Sequence, residues 1–276
     1  MTKNILLLVI LITVSCSSFA VENKPASAKA CKEPVAEKLS APAAALVISR
    51  MEKAVDPDGI ARSIRSYHSK YRAELKMQRI TMTMVNRFKA PDKIKVCIMI
   101  SNMPTTVQAF DGKYAWTMIE GMGIRDIVGP ELDFTRLSAR MSNPALSLRD
   151  IFKKIEIDKK KSFINDRECF KVTCYCPEAL KLPPVIIYAD AESYLPLKMI
   201  MTMQTSMGRV RSVNSFADYR KLGGMMMPCT MISSVLGMTV TAKLYSYEVN
   251  IKIPDSVFAK PAAAVKSPGV DSGKPE

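Results

Sequence analysis

Cys169, Cys174 and Cys176, together with the lone histidine His68, are the residues from which this chain would have to build a metal centre or a nucleophile and base. Zinc sites favour two Cys pairs or Cys with His, and three clustered cysteines with one distant histidine match neither pattern. Cys169 and Cys174 fall on one expected strand, where five steps of ~3.3 Å hold them too far apart to bridge. Any disulfide must therefore join different strands, and its pairing stays open. Buried thiols or one disulfide account for the cysteines beyond Cys16. His68 lies beside an apolar stripe with no nucleophile near it, and reads as a boundary or surface residue. Asp190 and Glu192, the acids nearest a strand end, are explained by the turn they occupy. His-Glu-x-x-His, Gly-x-Ser-x-Gly and a phosphate-cradling glycine loop are absent from the sequence. The residues nominate no catalytic group, no metal and no cofactor, which points away from an enzyme.

Methionine is the residue type that stands out, with 19 in 276 positions. In a strand over 197–205, alternation puts Leu197, Met199, Met201 and Met203 on one face and Lys198, Ile200, Thr202 and Gln204 on the other. Ile80, Met82 and Met84 repeat the pattern earlier, and Met118 adds to the supply. Flexible, polarizable thioethers repack around guests of variable shape, so such a surface suits apolar binding. Taken singly, each methionine is explained by filling the gap between sheet and helices. Taken together, they could line a cleft for acyl chains of several lengths. Trp116 has two readings, as a cleft residue with its indole nitrogen bonded at the rim or as core.

The elements that must position these residues follow from periodicity. Residues 46–55 have helical spacing, Asp56-Pro57-Asp58-Gly59 is a turn, and Ile60, Ile64, Tyr67 and Tyr71 recur at helical intervals, which predicts a second short helix. The period then falls to 2. Strands are expected at 75–88, 93–101, 105–110, 114–119, 162–176, 185–190, 197–205, 210–219, 227–234 and 238–250, with short turns such as Asp111-Gly112 and Leu236-Gly237 between them. Helical spacing returns at Phe134, Leu137 and Met141 and again at Leu148, Ile151 and Phe152. The expected class is α+β, a curved antiparallel sheet with helices over its concave face.

The opening sets the compartment. Lys3, an apolar run from Ile5 to Val14 and then Ser18-Phe19-Ala20 form a secretory leader over residues 1–20. Two readings stand: cleavage after Ala20 releases a periplasmic protein, whereas lipidation of Cys16 tethers it to the membrane. Residues 21–45, rich in Ala, Pro and Lys, read as a flexible linker, 46–261 as one domain, and 262–276 as a disordered tail. A net charge of +14, spread along the chain rather than interleaved with aromatics, suits an anionic membrane surface better than nucleic acid. A solvated basic face without a partner is the alternative. The chain is expected to act as a monomer.

A family resemblance rests on an ordered set of segments. These are Gly59-Ile60-Ala61-Arg62-Ser63-Ile64-Arg65-Ser66-Tyr67, Lys89-Ala90-Pro91-Asp92-Lys93-Ile94-Lys95 and Asp111-Gly112-Lys113-Tyr114-Ala115-Trp116. Then follow Cys169-Phe170-Lys171-Val172, Tyr188 through Lys198, Asp218-Tyr219-Arg220-Lys221 leading into Gly224 and Pro228, and Asn250-Ile251-Lys252-Ile253-Pro254-Asp255-Ser256-Val257-Phe258. Over roughly residues 46–261 the chain resembles proteins with the LolA-like fold, which include periplasmic outer-membrane lipoprotein-sorting carriers. The resemblance implies an incomplete β-barrel whose apolar hollow is lidded by helices and holds lipid or lipoprotein acyl chains. It also implies an alternative, since relatives of this fold act as envelope sensors or scaffolds that bind a protein partner.

Overall fold

The computed structural model describes residues 36–75, 78–205 and 208–261. The leader at 1–20 with Cys16, the first part of the linker with Cys31, and the tail from 262 lie outside these residues.

Packed structure is present ahead of the expected domain boundary at residue 46. Leu39 N donates to Ile157 O at 2.8 Å, Lys38 pairs with Asp158, and helix α1 runs from Ala41 to Val55. Pro42 stands in its first turn, where a missing N–H costs nothing. Ala44, Val47, Ile48 and Met51 recur on one side and are buried. Each large one of these is worth about 1.5–3 kcal/mol on burial. The stretch read as linker up to Ala45 thus supplies the first turn of a core helix, with Ala44 buried and alanine favouring the helical backbone.

The predicted second helix is instead a short turn of 3-10 helix, Ala61–Ser63, followed by strand β1, Ser66–Leu75. Tyr67, Ser69, Tyr71, Ala73 and Leu75 face inward while His68, Lys70, Arg72 and Glu74 face out. This period-2 alternation prevails over the coincident helical spacing of Ile64, Tyr67 and Tyr71. The remaining strands are β2 (Ile80–Lys89), β3 (Lys93–Ile100), β4 (Thr106–Phe110), β5 (Ala115–Ile119) and β6 (Gly123–Ile127). After helices α2 (Gly129–Met141) and α3 (Leu148–Ile151) come β7 (Lys154–Ile157), β8 (Ser162–Ile164), β9 (Arg167–Tyr175) and β10 (Val185–Asp190). The chain closes with β11 (Pro196–Thr205), β12 (Gly208–Leu222), β13 (Met225–Val235) and β14 (Met238–Val249). The single strand expected over 162–176 is broken into a hairpin at Asn165-Asp166, both in the left-handed region that a tight two-residue turn demands. β6 and β7 had not been anticipated.

All strands belong to one antiparallel sheet in the order β6-β5-β4-β3-β2-β1-β14-β13-β12-β11-β10-β9-β7, with β8 paired to β9. The first and last strands meet in the middle, and β6 and β7 remain as edges, so the curled sheet is an unclosed barrel with α1, α2 and α3 on its concave side. One half of that face, from Val172, Ile187, Met201 and Val210, packs on α1 and on Phe134 and Leu137 of α2. The far end of the interior is filled by Leu75, Met82, Met84, Ile98, Ile100 and Val240. Among the described residues no helix is long and apolar enough to cross a membrane.

Candidate functional site

Where α1 ends and α2 gives way to α3, the helices stand off the sheet and leave a cavity of about 640 Å³. Its roof is the C-terminal half of α1, the turn at 56–62 and the 142–147 connection with α3. The roof is tied by polar contacts. Asp56 carboxylate oxygens accept from Ile60 N at 2.8 Å and Ala61 N at 3.1 Å, and Glu52 Oε1 accepts from Leu148 N at 3.3 Å. A capping box between Ser147 and Asp150 fixes the start of α3.

The floor is the concave face of the central strands. Ser69 of β1 has Asn86 of β2 directly opposite on one side and Tyr247 of β14 on the other, so three polar side chains stand in a row. Tyr67 stacks on Phe88 at 5.2 Å and leans on Tyr247 at 5.6 Å, which makes an aromatic shelf beside that row. Met225 and Met227 of β13 and Ile187 of β10 complete an apolar wall. Burial pushes the Tyr247 phenol up to about 12, with Tyr71 adding to the shift. Burial likewise raises Tyr67, reinforced by Tyr247 and opposed by a hydrogen bond with Ser142. Tyr71 is raised by burial against a hydrogen bond with Ser69. The floor is thus uncharged at neutral pH, with donors and acceptors but no ion.

None of the nine residues nominated from sequence lines this cavity. Ile80, Met82 and Met84 do face inward, but they lie in the filled end of the barrel, Met82 being 1% exposed. Met201 and Met203 are core beneath the helices, with Met199 half-buried against them. Leu197 is half-buried beside Pro196, which does border the cavity. Trp116 and Met118 require the clearest correction. On β5 it is Ala115, Thr117 and Ile119 that share the concave face, so Trp116 and Met118 point to the convex side, packed with Val107, Ala109 and Cys97. There Lys95 lies over the indole at 5.7 Å, and Trp116 Nε1 donates to Phe258 O at 2.9 Å.

The residues missed were Tyr67, Ser69, Tyr71, Asn86 and Tyr247. The alternation of Tyr67, Ser69 and Tyr71 was a usable signal, hidden by the helical reading of the same stretch. His68 lies on the convex face with its Nε2 buried and unpartnered, its pKa lowered by burial and by Arg87 and Lys70. Cys97, Cys169, Cys174, Cys176 and Cys229 are free thiols. Among the described residues no group of three or more His, Cys, Asp or Glu is placed to hold a metal ion. What the site can do is enclose an apolar chain and offer hydrogen bonds to a neutral polar group.

No protein-family model matches the sequence, and no curated protein matches it either. Solved structures do resemble the fold. A DUF1329 family protein from Desulfovibrio piger superposes with a TM-score of 0.54 at 10% identity, covering 79% of this chain and 96% of that one. The LolA superfamily protein NE2245 from Nitrosomonas europaea superposes with a TM-score of 0.51 at 12% identity, covering 79% and 97%. The curled, unclosed antiparallel sheet with helices on its concave face is the LolA-like fold.

Proposed function

We propose that this chain is a non-catalytic protein of the cell envelope that binds or carries lipid or lipoprotein acyl chains in the cavity between its helices and sheet. The observation that carries the reading is that cavity: about 640 Å³, with methionine and tyrosine side chains on its floor and walls and the charged Glu52, Lys53, Asp56 and Arg62 confined to its roof, in the range of ~300–1,000 Å³ usual for ligand sites. Burying ~15 methylenes at ~0.8 kcal/mol each gives ~12 kcal/mol, and an association cost of at least ~4 kcal/mol leaves binding in roughly the micromolar range. The row of Ser69, Asn86 and Tyr247 fits an uncharged ester or amide next to such a chain. A guest enters between the roof at 56–62 and 142–147 and the floor, where the cavity is partly open, and transfer follows a difference in affinity between donor and acceptor. The leader read over residues 1–20 directs this activity to the periplasm, with the protein released or tethered through Cys16.

Native mass spectrometry of protein purified from its own envelope tests the reading. A bound amphiphile that leaves on delipidation is the expected result. Protein that emerges empty, and that does not shift an acyl-chain fluorophore, sinks it.

A further inference from the structure

The convex side of the sheet carries a feature that the cavity does not use. Alternation opposite the cavity floor places Lys70 and Arg72 of β1, Arg87 of β2 and Lys243 of β14 on the outer face. Register sets Arg72 directly opposite Lys243, and Arg87 directly opposite both His68 and Lys95. Like charges facing each other across paired strands destabilise a sheet, so such an arrangement calls for an anion. Lys95 is accounted for within the fold, since it donates to Val257 O at 2.9 Å and lies over Trp116. Lys70, Arg72, Arg87 and Lys243 make no ion pair among the described residues. The acids on this face are Glu74, Glu248, which accepts from the Ser246 hydroxyl at 3.2 Å, and Asp218, which accepts from the Thr230 hydroxyl of β13, and the four cations outnumber them.

Exposed apolar side chains are set among these cations. Met99, Thr83, Arg72, Lys243 and Thr230 form one continuous row across β3, β2, β1, β14 and β13. At ~4.8 Å per strand the row is ~19 Å wide. Met99 is 40% exposed, and Ile232 and Tyr245 on the neighbouring positions are 38% and 58% exposed. Among the described residues the C-terminal segment is held over the rows of Lys95 with Trp116 and of Lys89, two and three rows away from this one.

We propose that this outer row docks the protein on the phosphate headgroups of an anionic bilayer. Lysine and arginine heads reach phosphates while their stems lie along the surface, and Tyr245 and Met99 enter the interfacial layer beside them. A protein partner would need a contiguous apolar centre, and here Met99, Ile232 and Tyr245 are separated by the cations. The inference stands apart from the cavity, because the surface would dock whether or not a guest is held.

Flotation of the full chain with phosphatidylcholine vesicles, and with equimolar phosphatidylcholine and phosphatidylglycerol vesicles, tests it. The double variant R72E/K243E should lose the phosphatidylglycerol-dependent binding by at least ~tenfold, whereas K160E/K181E, with the same net charge but changed near the β7 edge, should stay within ~twofold of the original. R72Q/K243Q should shift binding in the same direction by less, and thermal melts establish that each variant folds. Binding that ignores phosphatidylglycerol overturns the proposal. So does equal weakening by both charge-reversed pairs, which would make the effect one of bulk charge, or retention by a soluble polyanion alone.

Discussion

Trp116 Nε1 donates to the carbonyl oxygen of Phe258 at 2.9 Å, joining β5 to a segment 142 residues further on. Phe258 is fully buried, and Lys89 and Lys95 hold the same segment through the carbonyls of Ile253 and Val257. The C-terminal residues are therefore a strap over the convex face. Replacing Trp116 by Phe keeps most of the packing but orphans a buried carbonyl, at a cost of ~1–3 kcal/mol. Denaturant unfolding should show a lower midpoint, while acyl-probe affinity stays unchanged because the ring faces away from the cavity. Loss of affinity in W116F without loss of stability would contradict this placement.

The buried phenols set the alkaline limit of stability. Tyr247 has its pKa raised from 10.0 to about 12, mainly by burial, and Tyr67 and Tyr219 are raised in the same direction for the same cause. Between those values the unfolded chain loses the proton that the folded chain retains, so stability is fully present below pH 10 and falls as pH rises toward 12. Unfolding free energy measured across that window should decline, and Y247F should flatten the decline. Tyrosinate absorbance that develops completely near pH 10 in the folded protein would refute the burial of these groups.

The strand thiols should be inert. Burial pushes Cys174 up to about 12, with Cys176 adding to the shift, and pushes Cys176 itself to about 11. Because the thiolate is the reacting species, alkylation of both at mildly alkaline pH should be at least ~100-fold slower than in denaturant. Mass mapping of a timed alkylation reads this directly, and fast labelling of Cys174 in the folded chain is the adverse result.

Gly224 and Gly237 offer a matched pair. Both have positive φ, +82 and +78, but a Cβ at Gly224 would stand 2.4 Å from Ile60 Cδ1, whereas Gly237 has nothing within 4 Å. Alanine at either position carries the left-handed penalty of ~1–2 kcal/mol. G224A should cost more, because Ile60 belongs to the turn that roofs the cavity and must shift. Equal losses in thermal melts would show that the crowding is relieved freely.

Much of the sheet was legible because its two faces differ in chemistry: β11 alternates methionine with Lys198, Thr202 and Gln204, interrupted only by Ile200, and the hairpin turns are short and rich in glycine. What alternation cannot say is which face is concave. Trp116 and Met118 look like cleft residues until the pairing of β5 with β4 sets them on the outer side. The site itself was illegible for a different reason. Ser69 and Asn86 meet across the β1–β2 pair, but Tyr247 joins them only when the first strand pairs with the last, and nothing local records that meeting. Tyr67 and Tyr71 carried both a helical and a strand spacing, and the cross-strand partners of β1 decide between them.

Titration of an acyl-chain fluorophore into the protein and its N86F variant tests the cavity most directly. Asn86 is half-buried on the cavity floor opposite Ser69, so a phenyl ring there occupies the guest's space without disturbing the filled end of the barrel. The dissociation constant should rise at least ~tenfold, equivalent to ~1.4 kcal/mol, with the melting temperature little changed. An N86F protein that folds and binds the fluorophore as tightly as the original would place the guest elsewhere and contradict the assignment.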